Sequence, residues 1–423
     1  MLILGAIIFV ILLVMGVPIW LALGFSGAFW ALVQMGLPLE SIPSQFFSAT
    51  DSWILLAIPY FLLAGNLMTN LGSAHKMLKV IIDLVGHLRG GLPAAAVIAC
   101  AIFGALSGSS IATCIAVGSL IIPQMTELGY SKQNSMGIVA SAGTLGSMIP
   151  PSIIFILYAS IVQEDVSDLF ISGIVPGILI AIVLVITAVF VSSRDNALKK
   201  ERSSFALIRT SFIQAIPSLL MPVIVLGGIY TGVMTPTESA AVAVVYVLII
   251  SFLFNRKEFT RGNLKKSLVS SMITTAVIYI ILGGAQLFST ALTYTQFPQT
   301  ITKYISNLSF APWVIMLLIL FLFFVLGTFL EPLPILFITM PILYPVVLDL
   351  GYDPIHFGIV TCALMMISQI TPPVGGTLFA MSGHFKESVV VVSRGSVPYL
   401  YALIVATLIL LYVPWLSTLF VAG

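Results

Sequence analysis

Apolar residues run along the chain in long stretches, separated by a few charges and by Gly and Pro turns. A bilayer core needs about 20 apolar residues per helix. The pattern therefore predicts ten membrane spans, at 2–16, 18–35, 53–73, 134–162, 169–192, 212–230, 237–254, 270–290, 354–384 and 396–420. Two further stretches, 91–125 and 311–349, are too long for one ordinary helix. They are interrupted near the middle, by Ser107-Gly108-Ser109-Ser110 and by Gly327-Thr328 with Glu331-Pro332, so each predicts a re-entrant hairpin.

Composition agrees with a chain that lives in lipid. Of 423 residues 59% are hydrophobic and 8% charged, against roughly 25% charged in a soluble domain. With 17 Lys+Arg and 15 Asp+Glu the net charge is +2, which leaves no basic field for nucleic acid. Cys100, Cys114 and Cys362 sit in apolar runs without metal-ligand or disulfide spacing and read as packing residues. Residues Met1 to Met15 have no preceding cation and no small-residue cleavage site, so they are expected to stay as a span.

Lys and Arg in short loops mark the cytoplasmic face, and the division alternates as this requires. Lys76, Lys79, Arg89 and Lys132 fall inside, and Glu164, Asp165 and Asp168 outside. Arg194, Lys199, Lys200, Arg202 and Arg209 return inside, followed by Arg256, Lys257, Arg261, Lys265 and Lys266. Asp349 and Asp353 lie outside and Lys386 and Arg394 inside; Lys303 is on the wrong side. Both termini are then periplasmic.

The chain also repeats itself. A displacement of 222 puts Pro123 on Pro345, Leu128-Gly129-Tyr130 on Leu350-Gly351-Tyr352, and Pro150-Pro151 on Pro372-Pro373. A slightly smaller offset brings Pro18 onto Pro236. Lys132 flanks one copy of the LGY loop, and Asp349 and Asp353 the other, so the copies are expected on opposite faces. Inverted repeats of this kind are the architecture of alternating-access carriers.

Backbone polar groups in hydrocarbon must be paired, so broken helix is tolerated where protein or a water-filled cavity covers it. Four breaks occur: the two hairpin tips, Gly143 to Pro151, and Ser368 to Pro373. Each Pro-Pro pair removes two donors and frees carbonyls. Freed carbonyls and hydroxyls suit a small cation, and half-helix N-termini suit a carboxylate. One tip and one break per repeat predict one cation site per repeat, with the anion between them. Taken singly, each break is equally a packing or kink feature, and Ser109, Ser110 and Thr113 are equally hydroxyls bonded back to their own helix. Glu331, the one acid within its hairpin, fits either a cap on the following half-helix or a proton carrier. His75, His87, His356 and His384 flank the spans without catalytic spacing, and no phosphate loop is present. The expectation is a carrier and not an enzyme.

These residues resemble a known family over essentially the whole chain: AIPYFLLAGNLM at 57–68, GHLRGG at 86–91, GALSGSSIATCIAVGSLIIP at 104–123, GTLGSMIPPS at 143–152, GGIYTGVMTPTESAAVA at 227–243, GTFLEP at 327–332 and ITPPVGGTLF at 370–379. The sequence looks like the DctM-like large membrane subunit of tripartite ATP-independent periplasmic (TRAP) transporters, within the ion transporter superfamily. The resemblance implies an all-α polytopic elevator-type transporter of the bacterial inner membrane, with two inverted repeats of five spans plus one hairpin each. Repeat 1 would be 1–192, with scaffold spans 2–35, an arm at 38–52, hairpin 91–125 and broken helix 134–162. A basic cytoplasmic linker, 193–211, would lead to repeat 2 at 212–423, with scaffold spans 212–254, an arm at 256–268, hairpin 311–349 and broken helix 354–384.

It further implies sodium-driven symport with no organic cofactor. The expected partners are a small four-helix membrane subunit, a periplasmic substrate-binding protein and a small organic acid such as a C4-dicarboxylate, sialic acid or keto acid. By the family pattern one sodium site falls on Ser107, Ser109, Gly146, Ile149 and Pro151, and the second on Gly327, Ser368, Thr371 and Val374. The substrate path would pass Ser110, Thr144, Pro150, Pro372, Pro373, Gly376 and Thr377. Relatives often carry Gly at the position of Ser368 and VGLNLF where this chain has VGGTLF at 374–379. A stand-alone sodium- or proton-coupled organic anion symporter of the same superfamily is the alternative reading. A channel or intramembrane enzyme fits less well, because the polar residues cluster at mid-membrane and the serines at 107–110 have no base partner.

Overall fold

The computed structural model describes residues 2–195, 197–198, 201–306 and 310–420. Met1 of the first expected span and Lys199 and Lys200 of the basic linker lie outside the described residues. Every regular element among the described residues is helical. The first half contains α1 (Leu2–Val14), α2 (Ile19–Val33), α3 (Ser41–Thr50), α4 (Ala57–Asn70), α5 (Ser73–Val85), α6 (Gly91–Ser107), α7 (Ser110–Glu127), α8 (Lys132–Gly143), α9 (Ile153–Val162) and α10 (Val166–Ser192). The second contains α11 (Phe205–Tyr230), α12 (Pro236–Phe254), α13 (Arg261–Tyr294), α14 (Phe297–Ser306), α15 (Pro312–Phe329), α16 (Pro332–Asp349), α17 (Pro354–Gln369), α18 (Gly376–Phe385), α19 (Val389–Tyr412) and α20 (Trp415–Thr418).

Eight of the described helices, α7, α10 to α13, α15, α16 and α19, are long and apolar enough to cross a membrane. Each contains an apolar stretch of 18 residues with few charges. On α10 the stripe Ile178, Ile182, Ile186 and Phe190 is exposed, while Gly173, Gly177, Ile180, Leu184 and Ala188 are buried on the opposite face. This is a multi-pass membrane protein.

The expected span 134–162 is two half-helices, α8 and α9, joined through a 3-10 turn at Thr144–Ser147, and span 354–384 is likewise α17 and α18. Three boundaries differ from the pattern. Segment 76–89, expected as loop, is mostly α5, whose Met77, Leu78, Ile81 and Ile82 are buried while His75 and Lys79 are exposed. Helix α13 runs 34 residues and absorbs both span 270–290 and residues 261–268 of the expected arm. Helix α14 occupies part of what was expected as an outer loop. In α13 charge marks the edge of the apolar run without ending the helix, because a helix can extend into water with its cations solvated, whereas α5 and α14 are separate helices that carry Lys79 and Lys303 on an exposed side.

Helices pack in two bundles. One consists of α1 to α5 with α11 to α13; the other of α6 to α10 with α15 to α20. Glycine sets the tightest crossing in each, as is usual between membrane helices. A methyl group on Gly27 of α2 would lie 2.5 Å from the Phe288 nitrogen of α13, and one on Gly137 of α8 would run into the Gly395 backbone of α19. Side-chain hydrogen bonds then sew each bundle internally. In the first, Asn66 and Asn70 of α4 donate to Ser271 and Ser267 of α13 at 2.8 and 3.0 Å. Ser203 and Ser211 donate to the two oxygens of the buried Asp83 of α5 at 3.1 and 2.8 Å. In the second, Asn134 of α8 donates to Ser192 and Asp195 and accepts from Tyr399 of α19, and Lys132 pairs with Glu387 at 2.6 Å. Among the described residues one side-chain hydrogen bond joins the bundles, Tyr230 Oη to the Phe170 carbonyl at 3.3 Å.

Segments 222 residues apart carry the same local bonds. After α7, Leu128, Gly129 and Tyr130 donate to the carbonyls of Gln124, Thr126 and Met125; after α16, Leu350, Gly351 and Tyr352 donate to Val346, Leu348 and Val347. Gly129 and Gly351 both have positive φ, 92° and 76°, which glycine adopts without steric cost. Ser131 and Asp353 then cap α8 and α17 by accepting from the N–H of Asn134 and His356.

Candidate ion and substrate site

The tip of the first hairpin gathers hydroxyls because α6 stops at Gly108, whose φ of 60° turns the chain, and Ser109 caps α7 by accepting from the Ala112 N–H. Ser107 Oγ lies 2.9 Å from Thr113 Oγ1 and 3.3 Å from the Ser109 carbonyl, which also accepts from Thr113 Oγ1 at 2.7 Å. The first break packs directly on this cluster. A methyl group on Gly146 would sit 2.7 Å from Thr113 Oγ1 and 2.8 Å from the Ser109 oxygen. The Pro151 carbonyl faces Gly108, where a methyl would lie 2.9 Å from it. Ser107, Ser109, Gly146 and Pro151 therefore converge. Ile149 differs: its side chain turns away onto Gly177 of α10, and its N–H bonds Leu145 O.

In the second half, Gly327 of α15 is pressed against the side chain of Ser368. The Val374 N–H donates to the Thr328 carbonyl at 3.0 Å, which ties the break after α17 to the hairpin. Gly327, Ser368 and Val374 are thus brought together. The Thr371 hydroxyl donates to the Ile367 carbonyl of its own helix at 2.7 Å, and Ser368 Oγ does the same to Met365 at 2.8 Å.

The two breaks share a device. Ser147 and Gln369 each stand three residues before the first Pro of their pair, and each carbonyl is taken by a downstream hydroxyl, from Ser152 at 2.5 Å and from Thr377 at 2.9 Å. Both Pro-Pro bonds, 150–151 and 372–373, are cis. Their surroundings differ. Thr144, Pro150 and Pro151 are buried, and Thr144 Oγ1 bonds back to Ser141 O at 2.6 Å, so Thr144 presents no free hydroxyl to a path. Pro372, Pro373 and Val374 are exposed, Gly376 is half-buried at the start of α18, and Thr377 is buried. Ser110, the first residue of α7, is 6% exposed and its hydroxyl has no partner.

Glu331 occupies the N-cap position of α16 ahead of Pro332, yet its carboxylate makes no capping hydrogen bond. The capping role expected for it is not the one observed. Cys362, read as plain packing, donates its S–H to the Ser147 carbonyl at 3.0 Å and so joins α17 to the first break. Sequence reasoning left Thr113 out of the first cluster, although it stands four residues after Ser109 and therefore on the same face of α7. It also missed Gly65 of α4, where a methyl would lie 2.8 Å from Ser107 Cα, and Gly104, which admits the Gly146 backbone. The Gly104-x-x-x-Gly108 spacing was the available signal. Among the described residues no three His, Cys, Asp or Glu side chains converge as a metal site. What the arrangement offers is oxygen ligands without fixed charge.

Comparison with known proteins gives concordant results. The family described as tripartite ATP-independent periplasmic transporter, DctM component, matches residues 6–416. The C4-dicarboxylate TRAP transporter large permease protein DctM of Pseudomonas aeruginosa is 40% identical over 396 residues, covering 94% of this chain and 92% of that protein. The isethionate TRAP transporter permease protein DctMQ of Oleidesulfovibrio alaskensis is 37% identical over 413 residues, 97% of this chain and 65% of the relative. Among solved structures, the YdaH transporter of Alcanivorax borkumensis shares the fold, with a TM-score of 0.59 at 15% identity over 90% of this chain and 88% of that one.

Proposed function

The chain belongs to the DctM family of tripartite ATP-independent periplasmic transporter components, and from that premise we propose that it is the translocating subunit of a sodium-coupled carrier importing a small organic acid across the bacterial inner membrane. The observation that carries this reading is the pairing of a hairpin tip with a broken helix, once in each half, with hydroxyls on the tip in the first half and on the break in the second. Ser107, Ser109 and Thr113 with the backbone of Gly146 and Pro151 would hold one sodium ion, and Gly327, Ser368 and Val374 with the backbone of Thr371 the other. Carbonyl and hydroxyl oxygens are the ligands a small hard cation prefers. No Lys or Arg approaches the tips, so the substrate carboxylate would rest on the α7 N-terminus and the unpartnered Ser110 hydroxyl. Exposed Glu331 remains the candidate for any proton contribution.

The proposed movement is an elevator, in which the hairpin-bearing bundle slides against the other. It is supported by the sparse hydrogen bonding between bundles that are each densely sewn. Repeats at 1–192 and 212–423 around linker 193–211 are supported by the matching bonds at a displacement of 222. Their inversion is supported by cross-chain contacts that join loops assigned by charge to the same face. Lys132 meets Glu387, Lys76 donates to the Phe254 carbonyl, and the Leu198 N–H bonds Leu128 O inside. Tyr344 meets Glu164, and Tyr158 donates to Pro354 O, outside.

A small four-helix membrane subunit and a periplasmic binding protein complete the proposed assembly. The DctMQ relative has about a third of its length beyond the match, room for such a subunit fused to the permease. The deciding experiment is reconstitution of the chain with both partners in proteoliposomes and uptake of C4-dicarboxylates, isethionate, sialic acid and keto acids. Uptake should require the binding protein and an inward sodium gradient. Undiminished uptake with potassium replacing sodium on both sides would overturn sodium coupling, and uptake without the binding protein would favour a stand-alone symporter.

A further inference from the structure

A cleft of about 960 Å³ opens between the two bundles, with α4, α5, α12 and α13 on one wall and α7 and α18 on the other. On the α7 side it is lined by Ile115, Ala116, Ser119 and Leu120, beginning five residues beyond Ser110. Ile111, Ile115 and Ser119, four residues apart, form the open stripe of α7 running down from Ser110. At the far end Ser119 Oγ donates to Ile115 O at 2.6 Å, so at its 2.8 Å contact with His384 Nε2 it accepts, and His384 lines the cleft beside it. Around the mouth stand Lys76, Arg256, Lys257 and Lys266, with one carboxylate, Glu258. The one ion pair among the described residues, Lys132 with Glu387, lies elsewhere, so Glu258 pairs directly with none of the four and the lining keeps a cationic excess of three. Lys76 Nζ is held by the Phe254 carbonyl and Arg256 stacks over the Phe252 ring at 5.5 Å, while Lys257 and Lys266 make no hydrogen bond or ion pair among the described residues.

We propose that this cationic mouth is a second, low-affinity carboxylate site, which holds the organic acid between its release at the hairpin tip and its escape to the cytoplasm. The proposal rests on the transport and sidedness reading above. The positive-inside bias accounts for cations on this face, but not for four of them gathered around one cavity, from which the open stripe Ser119, Ile115 and Ile111 of α7 leads toward a tip whose sequence contains none. A cleft in which one sign of charge predominates between low-dielectric walls concentrates counter-ions, by about 10-fold. A solvated carboxylate there releases readily, as an exit site requires.

The test uses Thr69→Cys, an exposed position on the cleft wall, with Leu253→Cys as a second reporter should the first impair folding. Each is reacted in membrane vesicles with an anionic sulfonatoethyl and a cationic trimethylammonioethyl methanethiosulfonate. Relative to a free thiol, the anionic reagent should react about 10-fold faster at low salt and approach parity at high salt. Adding Lys257→Gln and Lys266→Gln should reduce the preference about three-fold per cation removed. Succinate and isethionate, in excess, should slow the anionic reagent in the parent but not in the lysine variants. Equal rates for the two reagents, or a preference unchanged by the lysine substitutions, would overturn the site. Abolition of the preference by anionic phospholipid would also overturn it, since the occupant would then be a lipid headgroup. Failure of the underlying reading looks different: the anion preference persists, but labelling occurs in right-side-out and not inside-out vesicles.

Discussion

The sharpest test of the first cation site is a single methyl group at Gly146. The glycine is not there for a turn; it stands where the broken helix meets the hairpin tip, and the added carbon would lie 2.7 Å from Thr113 Oγ1 and 2.8 Å from the Ser109 carbonyl oxygen. Relief requires those oxygens to retreat by roughly half an ångström from a carbon that ordinarily stays well beyond 3 Å. Because both are proposed ligands, the displacement falls on the ion. Overpacking of this kind costs about 1–3 kcal/mol, which, borne by the site, is a loss of about 5- to 150-fold in sodium affinity. The assay is initial uptake rate against sodium concentration in proteoliposomes, with monodispersity in detergent showing that the variant folds. Gly227→Ala is the control, since nothing lies within 4 Å of the carbon it adds, and its sodium curve should match the parent. A folded Gly146→Ala protein with the parental sodium curve would refute the assignment of this cluster to the ion.

Three further outcomes are expected. Ser107→Ala removes a hydroxyl from the converging cluster and should weaken sodium dependence about 10-fold, whereas Thr371→Ala, whose hydroxyl serves the Ile367 carbonyl, should change it by less than about two-fold; the reverse order in the same uptake assay would show that the second site is ligated through Thr371. Gly137→Ala should destabilise the second bundle by about 3 kcal/mol because the methyl meets the Gly395 backbone, and an unchanged melting temperature in detergent would contradict that packing. Single cysteines at Ser131 and Asp353, with the three native cysteines replaced, should be labelled by an impermeant maleimide from outside intact spheroplasts at 353 and not at 131; labelling at both, or at 131 alone, would exclude the proposed inversion.

The breaks were legible because their cause is written in residue chemistry: Pro-Pro pairs, glycine clusters and serines inside otherwise apolar runs leave few alternatives in lipid. Helices α5 and α14 were not, since both carry charge on one face and the charge was taken for a loop. The start of α13 was lost for the same reason, with Lys265 and Lys266 marking where the apolar run ends while the helix continues from Arg261. Hydroxyl roles were the least readable. Ser107 and Thr371 look alike in sequence, each a hydroxyl beside a break, but a hydroxyl bonded to the carbonyl one turn back offers its lone pairs to an ion only where other oxygens converge on it. Whether they converge depends on what packs against it. Gly146 brings backbone to the Ser107 cluster, while Thr371 bonds within its own helix. Thr113 was weighed as a helix-bonded hydroxyl; it does bond Ser109 O, and meets Ser107 Oγ as well.

The distribution of polar contacts bears on how such a site could move. Breaking a buried hydrogen bond without replacement costs about 1–3 kcal/mol, so the path of least resistance through a helical protein runs where such bonds are fewest. Separating α8 from α19 would strand Asn134 and Tyr399, and separating α4 from α13 would strand the two Asn–Ser pairs. Sliding one bundle along the other gives up the long Tyr230 to Phe170 contact and otherwise exchanges apolar and small-residue contacts for others of the same kind. Gly65 lies at this boundary, one residue before the Asn66 that anchors α4 to Ser271, and it admits Ser107 of the hairpin tip to close range. The tip therefore rests beside a hydrogen-bonded anchor of the first bundle, and Gly65 has no side chain with which to bond it. That combination suits a site carried as a unit, with its ligands held within the moving bundle, better than one assembled anew on each side of the membrane.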